Sequence, residues 1–191
     1  MNNILENVLE TLADERAHQL RRWGIRQADG SFIEPLHSVG LFLIYMQDYC
    51  EEATHRLTRC ARGGNCYDTL VSIRKLVALG LACLEQNDYY DGLPTANLHP
   101  YAPITLENLF DTIRYTGRMV PVCNVDVSTY LLKIRQCLVD AEVKLGAMNS
   151  GAVLVIFREI VQIGVELLCR EGAPPREYRR TVTNMRDGKP A

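Results

Sequence analysis

Nothing in this sequence is long and apolar enough to sit across a lipid bilayer. The longest apolar run, near Val39 to Ile44, falls far short of the roughly 20 residues that a membrane span requires. The N-terminal stretch MNNILENVLETLADERAHQ alternates apolar and charged residues, so it lacks the continuous apolar segment of a signal peptide. The expectation is a soluble, cytoplasmic protein with no membrane partner. Neither sign of charge is in marked excess. A formal net charge of -2 gives no general field for a polyanion, so bulk nucleic-acid binding has no support beyond local patches. The seven cysteines (Cys50, Cys60, Cys66, Cys83, Cys123, Cys137 and Cys169) form an odd set without a CxxC pair, which argues against a disulfide framework or a zinc site and for reduced, buried thiols. The nearest approach to a metal set, His55 with Cys60 and Cys66, lacks a fourth ligand. No G-x-S-x-G, phosphate-loop glycine pattern or spaced Cys-His nucleophile set occurs.

What is present is helical periodicity. Ile4, Leu5, Val8, Leu9, Leu12, Arg16, Leu20 and Trp23 recur at helical spacing, predicting one amphipathic helix over residues 3 to 23 that closes at Gly24. Glu15, Gln19 and Arg22 share a flank of it. Residues 25 to 37 contain an Asp-Gly turn and a proline and read as a loop able to cover a cleft. Ser38 caps a second helix running to about Arg59, with Asp48, Glu51, Glu52 and His55 on one flank. A third helix, Tyr67 to Gln86, is apolar over most of its circumference and belongs inside a bundle.

After a proline-rich linker the order of elements starts again. Leu106 to Ile113 parallels Leu5 to Leu12, Asp126 to Leu145 parallels Ser38 to Leu57, and Ile156 to Leu168 parallels Ser72 to Leu84. In the third pair Arg74 aligns with Arg158, Val77 with Val161 and Gly80 with Gly164. Three matches in one order point to duplication. The fold expected is an all-α helical bundle of two tandem three-helix repeats, a pseudo-dimer in one chain. Residues 1–88 form the first repeat, 89–103 the linker, 104–172 the shorter second repeat and 173–191 a basic, partly disordered tail. Glycines at one register in both third helices predict close approach of those backbones.

The segment Glu15-Arg16-Ala17-His18-Gln19-Leu20-Arg21-Arg22-Trp23-Gly24 resembles the ER-x-x-Q-x-(K/R)-(K/R)-W-G opening of phage and bacterial MazG-like proteins, in the all-α nucleoside triphosphate pyrophosphohydrolase superfamily. That resemblance implies two facing helices whose ExxE and ExxD pairs hold magnesium against nucleotide phosphates, since a hard cation takes oxygen ligands. In this sequence Glu51 and Glu52 match the leading acidic pair, but His55 follows where a carboxylate is expected. On the next helix Lys75 and Ala78 replace the Glu and Asp. In the second copy Glu159 and Gln162 take those places.

The resemblance and its departures lead to three expectations. The first is a MazG-like, phage-derived accessory protein that binds a nucleotide-type ligand or a host protein without full catalysis. Its phosphate-binding candidates are Arg74 and Lys75, with Trp23 and Gln19 beside them; arginine offers a bidentate fork and lysine a point charge. Trp23 stacks on a base or else anchors the core, and Arg74 and Lys75 bind phosphate or else form an exposed helix flank. The second is a magnesium-dependent pyrophosphohydrolase using Asp48, Glu51, Glu52 and Glu159, with Glu51, Glu52 and Glu159 as metal ligands. The third is a helical structural or interaction protein. A homo-oligomer is compatible with each.

Overall fold

The structure, a computed structural model, describes residues 2–61, 66–87, 106, 109–111, 113 and 126–175. It is an all-α helical bundle. Helix α1 spans Asn2–Trp23, α2 Val39–Cys60, α3 Tyr67–Gln86, α4 Val127–Gly146 and α5 Ser150–Glu171. Residues 106, 109–111 and 113 are helical as well. Among the described residues no helix is long and apolar enough to cross a membrane.

Local chemistry sets the helix ends. At Gly24 a Cβ would run into the carbonyl oxygen of Leu20, to which the Gly24 N–H donates at 2.7 Å. Only glycine fits that turn. Ser38 Oγ accepts from the Leu41 N–H, and Asp126 accepts from that of Thr129, so each occupies one of the donors that a helix start leaves without a partner.

Helix α3 is the core. Leu70, Ile73, Leu76, Val77, Ala78, Leu79, Leu81, Ala82, Cys83 and Leu84 are all buried, as an all-round apolar helix must be. It packs against α2, α5 and α1, while α4 packs on α5 and α2. Gly40 of α2 faces Leu145 of α4, and Gln47 donates to Glu142, so these two helices run antiparallel.

The α3–α5 contact is reciprocal. A Cβ on Gly80 would lie 2.7 Å from Val161 Cγ2, and one on Gly164 would come closer still to Val77 Cγ2. Both glycines are buried, and each receives the valine of the opposite helix. The backbones therefore approach as the paired glycines predict.

Three expectations are corrected. Residues 25 to 37 are not a plain loop: Ile25–Arg26 (β1) and Phe32–Ile33 (β2) pair antiparallel. The Asp29-Gly30 turn allows this, with Gly30 at φ +85° and Asp29 Oδ1 accepting from Ser31. The segment that follows the hairpin is pinned to α1 and the end of α3. Glu34 pairs with Arg16, and Gln86 bonds the His37 N–H and the Pro35 carbonyl. Second, Cys60 and Cys66 are joined as a disulfide with Cα atoms 5.2 Å apart. Reduced thiols describe Cys50, Cys83, Cys137 and Cys169 but not this pair. Third, the tail begins inside the fold, because Pro174 is buried and its carbonyl accepts from Arg74 Nη1 at 2.6 Å. The linker at 89–103, most of the first helix of the second repeat, Cys123 and residues 176–191 lie outside the described residues.

Candidate functional site

One polar pocket of about 200 Å³ opens between α1, α2 and α3. Helix α1 contributes Glu15, Gln19, Arg22 and Trp23, which fall on one flank because the other three each lie three or four positions from Gln19. Arg74 and Lys75 come from α3 and Tyr49 from α2; His18 and Val71 complete the wall. The four residues singled out for phosphate or nucleotide binding, Gln19, Trp23, Arg74 and Lys75, thus share one cavity. Arg22 and Tyr49 were not among them. Arg22 was legible as a neighbour of Gln19, whereas nothing in the sequence tied Tyr49 to α1.

The pocket floor is rigid. Arg74 is 3% exposed and forms a buried pair with Glu15, at 2.8 Å from Nη2 and 3.0 Å from Nε. It is not the exposed helix flank that was the alternative reading. Gln19 is buried: its carbonyl oxygen accepts from Arg16 at 3.1 Å and its amide nitrogen donates to the Lys75 carbonyl at 3.5 Å. Arg16 also reaches Glu34 at 2.6 Å and Glu85 at 3.2 Å. Burial alone would lower its pKa, but the two carboxylates outweigh burial and hold it above the ordinary value. The Glu-Arg start of the Trp-Gly segment therefore ties α1 to α3 and to the β-hairpin segment. These are scaffold interactions.

The charge not committed to an ion pair belongs to Lys75 and Arg22. Lys75 Nζ lies 5.3 Å from the centroid of the Tyr49 ring, and among the described residues neither cation makes an ion pair. Burial, followed by the Glu52 carboxylate, raises the Tyr49 pKa, so its ring faces the pocket as a neutral phenol. Trp23 is 42% exposed and stacks on Tyr45 of α2 with centroids 6.5 Å apart and planes at 16°. It is not a core anchor, because α1 ends at the bundle edge and leaves one indole face at the pocket rim.

The candidate catalytic carboxylates are not brought together. Asp48 and Glu51 line a separate groove between α2 and α4. Glu52 turns toward α3, where it pairs with Arg56 at 2.5 Å and accepts from Ser72 Oγ at 3.1 Å. Lys75 sits over Tyr49 and is not its counter-ion. Glu159 is exposed on α5, close enough to α4 to raise the pKa of Cys137 after burial has done so. Glu166, also on α5, accepts from Tyr130 Oη at 2.7 Å. Ala78 is fully buried in α3, so that position offers no ligand. Among the described residues no group of three or more His, Cys, Asp or Glu side chains is placed to hold a metal. The magnesium centre implied by the resemblance does not fit these residues, and no catalytic step is derived through it.

Comparison with protein-family models, with curated proteins and with solved structures finds no match to this chain.

Proposed function

We propose that this chain is a divergent MazG-like, phage-derived accessory protein of the cytoplasm that binds a nucleotide-type ligand in the α1–α2–α3 pocket without full catalysis. The observation that carries this reading is the convergence of Gln19, Trp23, Arg74 and Lys75, joined by Arg22, on one cavity, while Asp48, Glu51, Glu52 and Glu159 stay dispersed. The MazG-like and phage parts rest on the Glu15 to Gly24 segment.

Magnitudes assign the roles. A phosphate drawing Arg74 away from Glu15 would strand a buried charge, at about 3–5 kcal/mol, so Arg74 stays in the wall. Lys75 gives up only a cation–π contact worth about 0.5–1 kcal/mol at an exposed site. A unit charge 4 Å away near a protein surface attracts it by about 4 kcal/mol. The phosphate therefore binds Lys75 and Arg22, and the base stacks on the open face of Trp23. A pocket of about 200 Å³ takes a phosphate and sugar and leaves the base at the rim.

The duplication belongs to the same reading. The valine–glycine contacts are related by a common shift of 84 positions (161 minus 77 and 164 minus 80), as an isologous interface between two copies of one unit requires.

Trp23 is the only tryptophan, so its fluorescence reports the pocket directly. Titration with nucleosides, nucleoside mono-, di- and triphosphates and inorganic phosphate is expected to quench it with phosphorylated compounds first. Ligand at a hundred times Kd adds about 2.7 kcal/mol, or roughly 5–10 °C in Tm for a chain of this size. No quench and no Tm shift with any nucleotide would overturn the proposal. Pyrophosphate release from nucleoside triphosphates with magnesium, abolished by Glu52→Ala, would replace it with the enzyme reading.

A further inference from the structure

On the other flank of α2 lies a larger groove, about 590 Å³, walled by α2 and α4. Its chemistry differs from that of the anion pocket. Asp48, Glu51 and His55 line the α2 side, and Arg135 and Val139 the α4 side. Gln47, also in the lining, donates to Glu142 of α4 at 3.2 Å. Two carboxylates share the lining with one guanidinium, and among the described residues Asp48, Glu51 and Arg135 make no ion pair. Apolar surface runs through it: Ile44 is 55% exposed and Val139 47%. Leu132, seven residues before Val139, is exposed too, so the apolar stripe continues along α4.

The occupant must be cationic and partly apolar. A second copy presenting the same face would set carboxylate against carboxylate, which charge disfavours. The chain itself carries a matching segment in residues 176–191, REYRRTVTNMRDGKPA. It has five basic residues against Glu177 and Asp187, with Tyr178, Val182 and Met185 between them.

Position favours the match. Pro174 is fixed by Arg74, which lines the anion pocket together with Tyr49; Tyr49 and its neighbour Asp48 face opposite flanks of α2. Fourteen residues separate Pro175 from Lys189 (189 minus 175), an extended reach of roughly 45–50 Å. A helix is only about 10–12 Å across.

We propose that residues 176–191 dock as an intramolecular strap in the acidic groove between α2 and α4, with their basic side chains on Asp48 and Glu51 and their apolar ones on Ile44 and Val139. The proposal is independent of the nucleotide reading, because the two sites share no lining residue.

The test uses the full chain. Zero-length carbodiimide coupling joins a lysine to a carboxylate it touches, and Lys189 is the only lysine of the segment. Equal parts of ¹⁴N- and ¹⁵N-labelled protein are coupled together, digested and read by mass spectrometry. The expected product links Lys189 to Asp48 or Glu51 within one isotope, and its yield falls at least fivefold in an Arg179→Glu/Arg180→Glu variant. Circular dichroism of that variant checks that the fold is kept, which separates loss of yield from loss of fold. Mixed-isotope links would assign the groove to a second copy and overturn the strap. Links scattered over other carboxylates, absent links, or an unchanged yield in the variant would overturn it as well.

Discussion

Val77 fills the space that a Cβ on Gly164 would take. Val161 does the same at Gly80, so the two central helices interlock through a pair of equivalent knobs and gaps. An alanine at Gly164 gains about 1 kcal/mol of helix propensity but meets a β-branched side chain with no room to turn, and overpacking costs about 1–3 kcal/mol. Gly164→Ala is expected to destabilise the protein in urea, and Val77→Ala to relieve part of that loss. The Gly80→Ala and Val161→Ala pair should show the same coupling, and additive effects in both cycles would refute the interlock.

The Glu15–Arg74 pair predicts an asymmetry between breaking and replacing. Both side chains are buried, so Glu15→Ala, which takes the carboxylate from a buried guanidinium, is expected to cost about 3–5 kcal/mol. Glu15→Leu with Arg74→Met removes both charges and should cost less than either single change. Chemical denaturation decides it. A double variant less stable than both singles would show the pair to be more than a compensated burial.

Lys75→Ala and Arg22→Ala should weaken phosphorylated ligands and spare nucleosides, while Trp23→Leu should weaken both. Each exposed charge contact carries about 1 kcal/mol or more, or at least fivefold in Kd. Binding measured by calorimetry separates the cases. Equal losses for nucleoside and nucleotide in Lys75→Ala would place the phosphate elsewhere.

Alkaline pH should loosen the bundle. Burial pushes the Cys83 thiol up to about 12, and Cys50, Cys137 and Cys169 up to about 11, from an ordinary 9.0. A raised pKa means the fold favours the neutral thiol. That stability is complete below about pH 9 and is lost as pH rises through 11 to 12. Tm followed between pH 7 and 11.5 should fall from pH 9 upward, and Cys83→Ala should flatten the fall. An unchanged slope in that variant would remove the thiol from the account.

The caps at Ser38 and Asp126, the stop at Gly24 and the span of α3 were legible because each depends on neighbours within a few positions. The candidate pocket was legible in part. Gln19, Arg22 and Trp23 share a flank through helix geometry alone, and Arg74 and Lys75 are adjacent. That they meet Tyr49 depends on how three helices pack, which no local pattern encodes.

By itself the sequence determined that this chain makes helices, which faces of them are apolar, and that two glycines recur at one register. These follow from a 3.6-residue period and from which side chains leave water. Only the tertiary structure decided what each charge meets. Arg74, adjacent to Lys75, is locked against Glu15 while Lys75 stays available. Glu52 turns toward α3 and Glu51 toward α4. The 100° between successive residues of a helix sends neighbours to different surfaces, and the packing of the other helices alone decides which surface is buried.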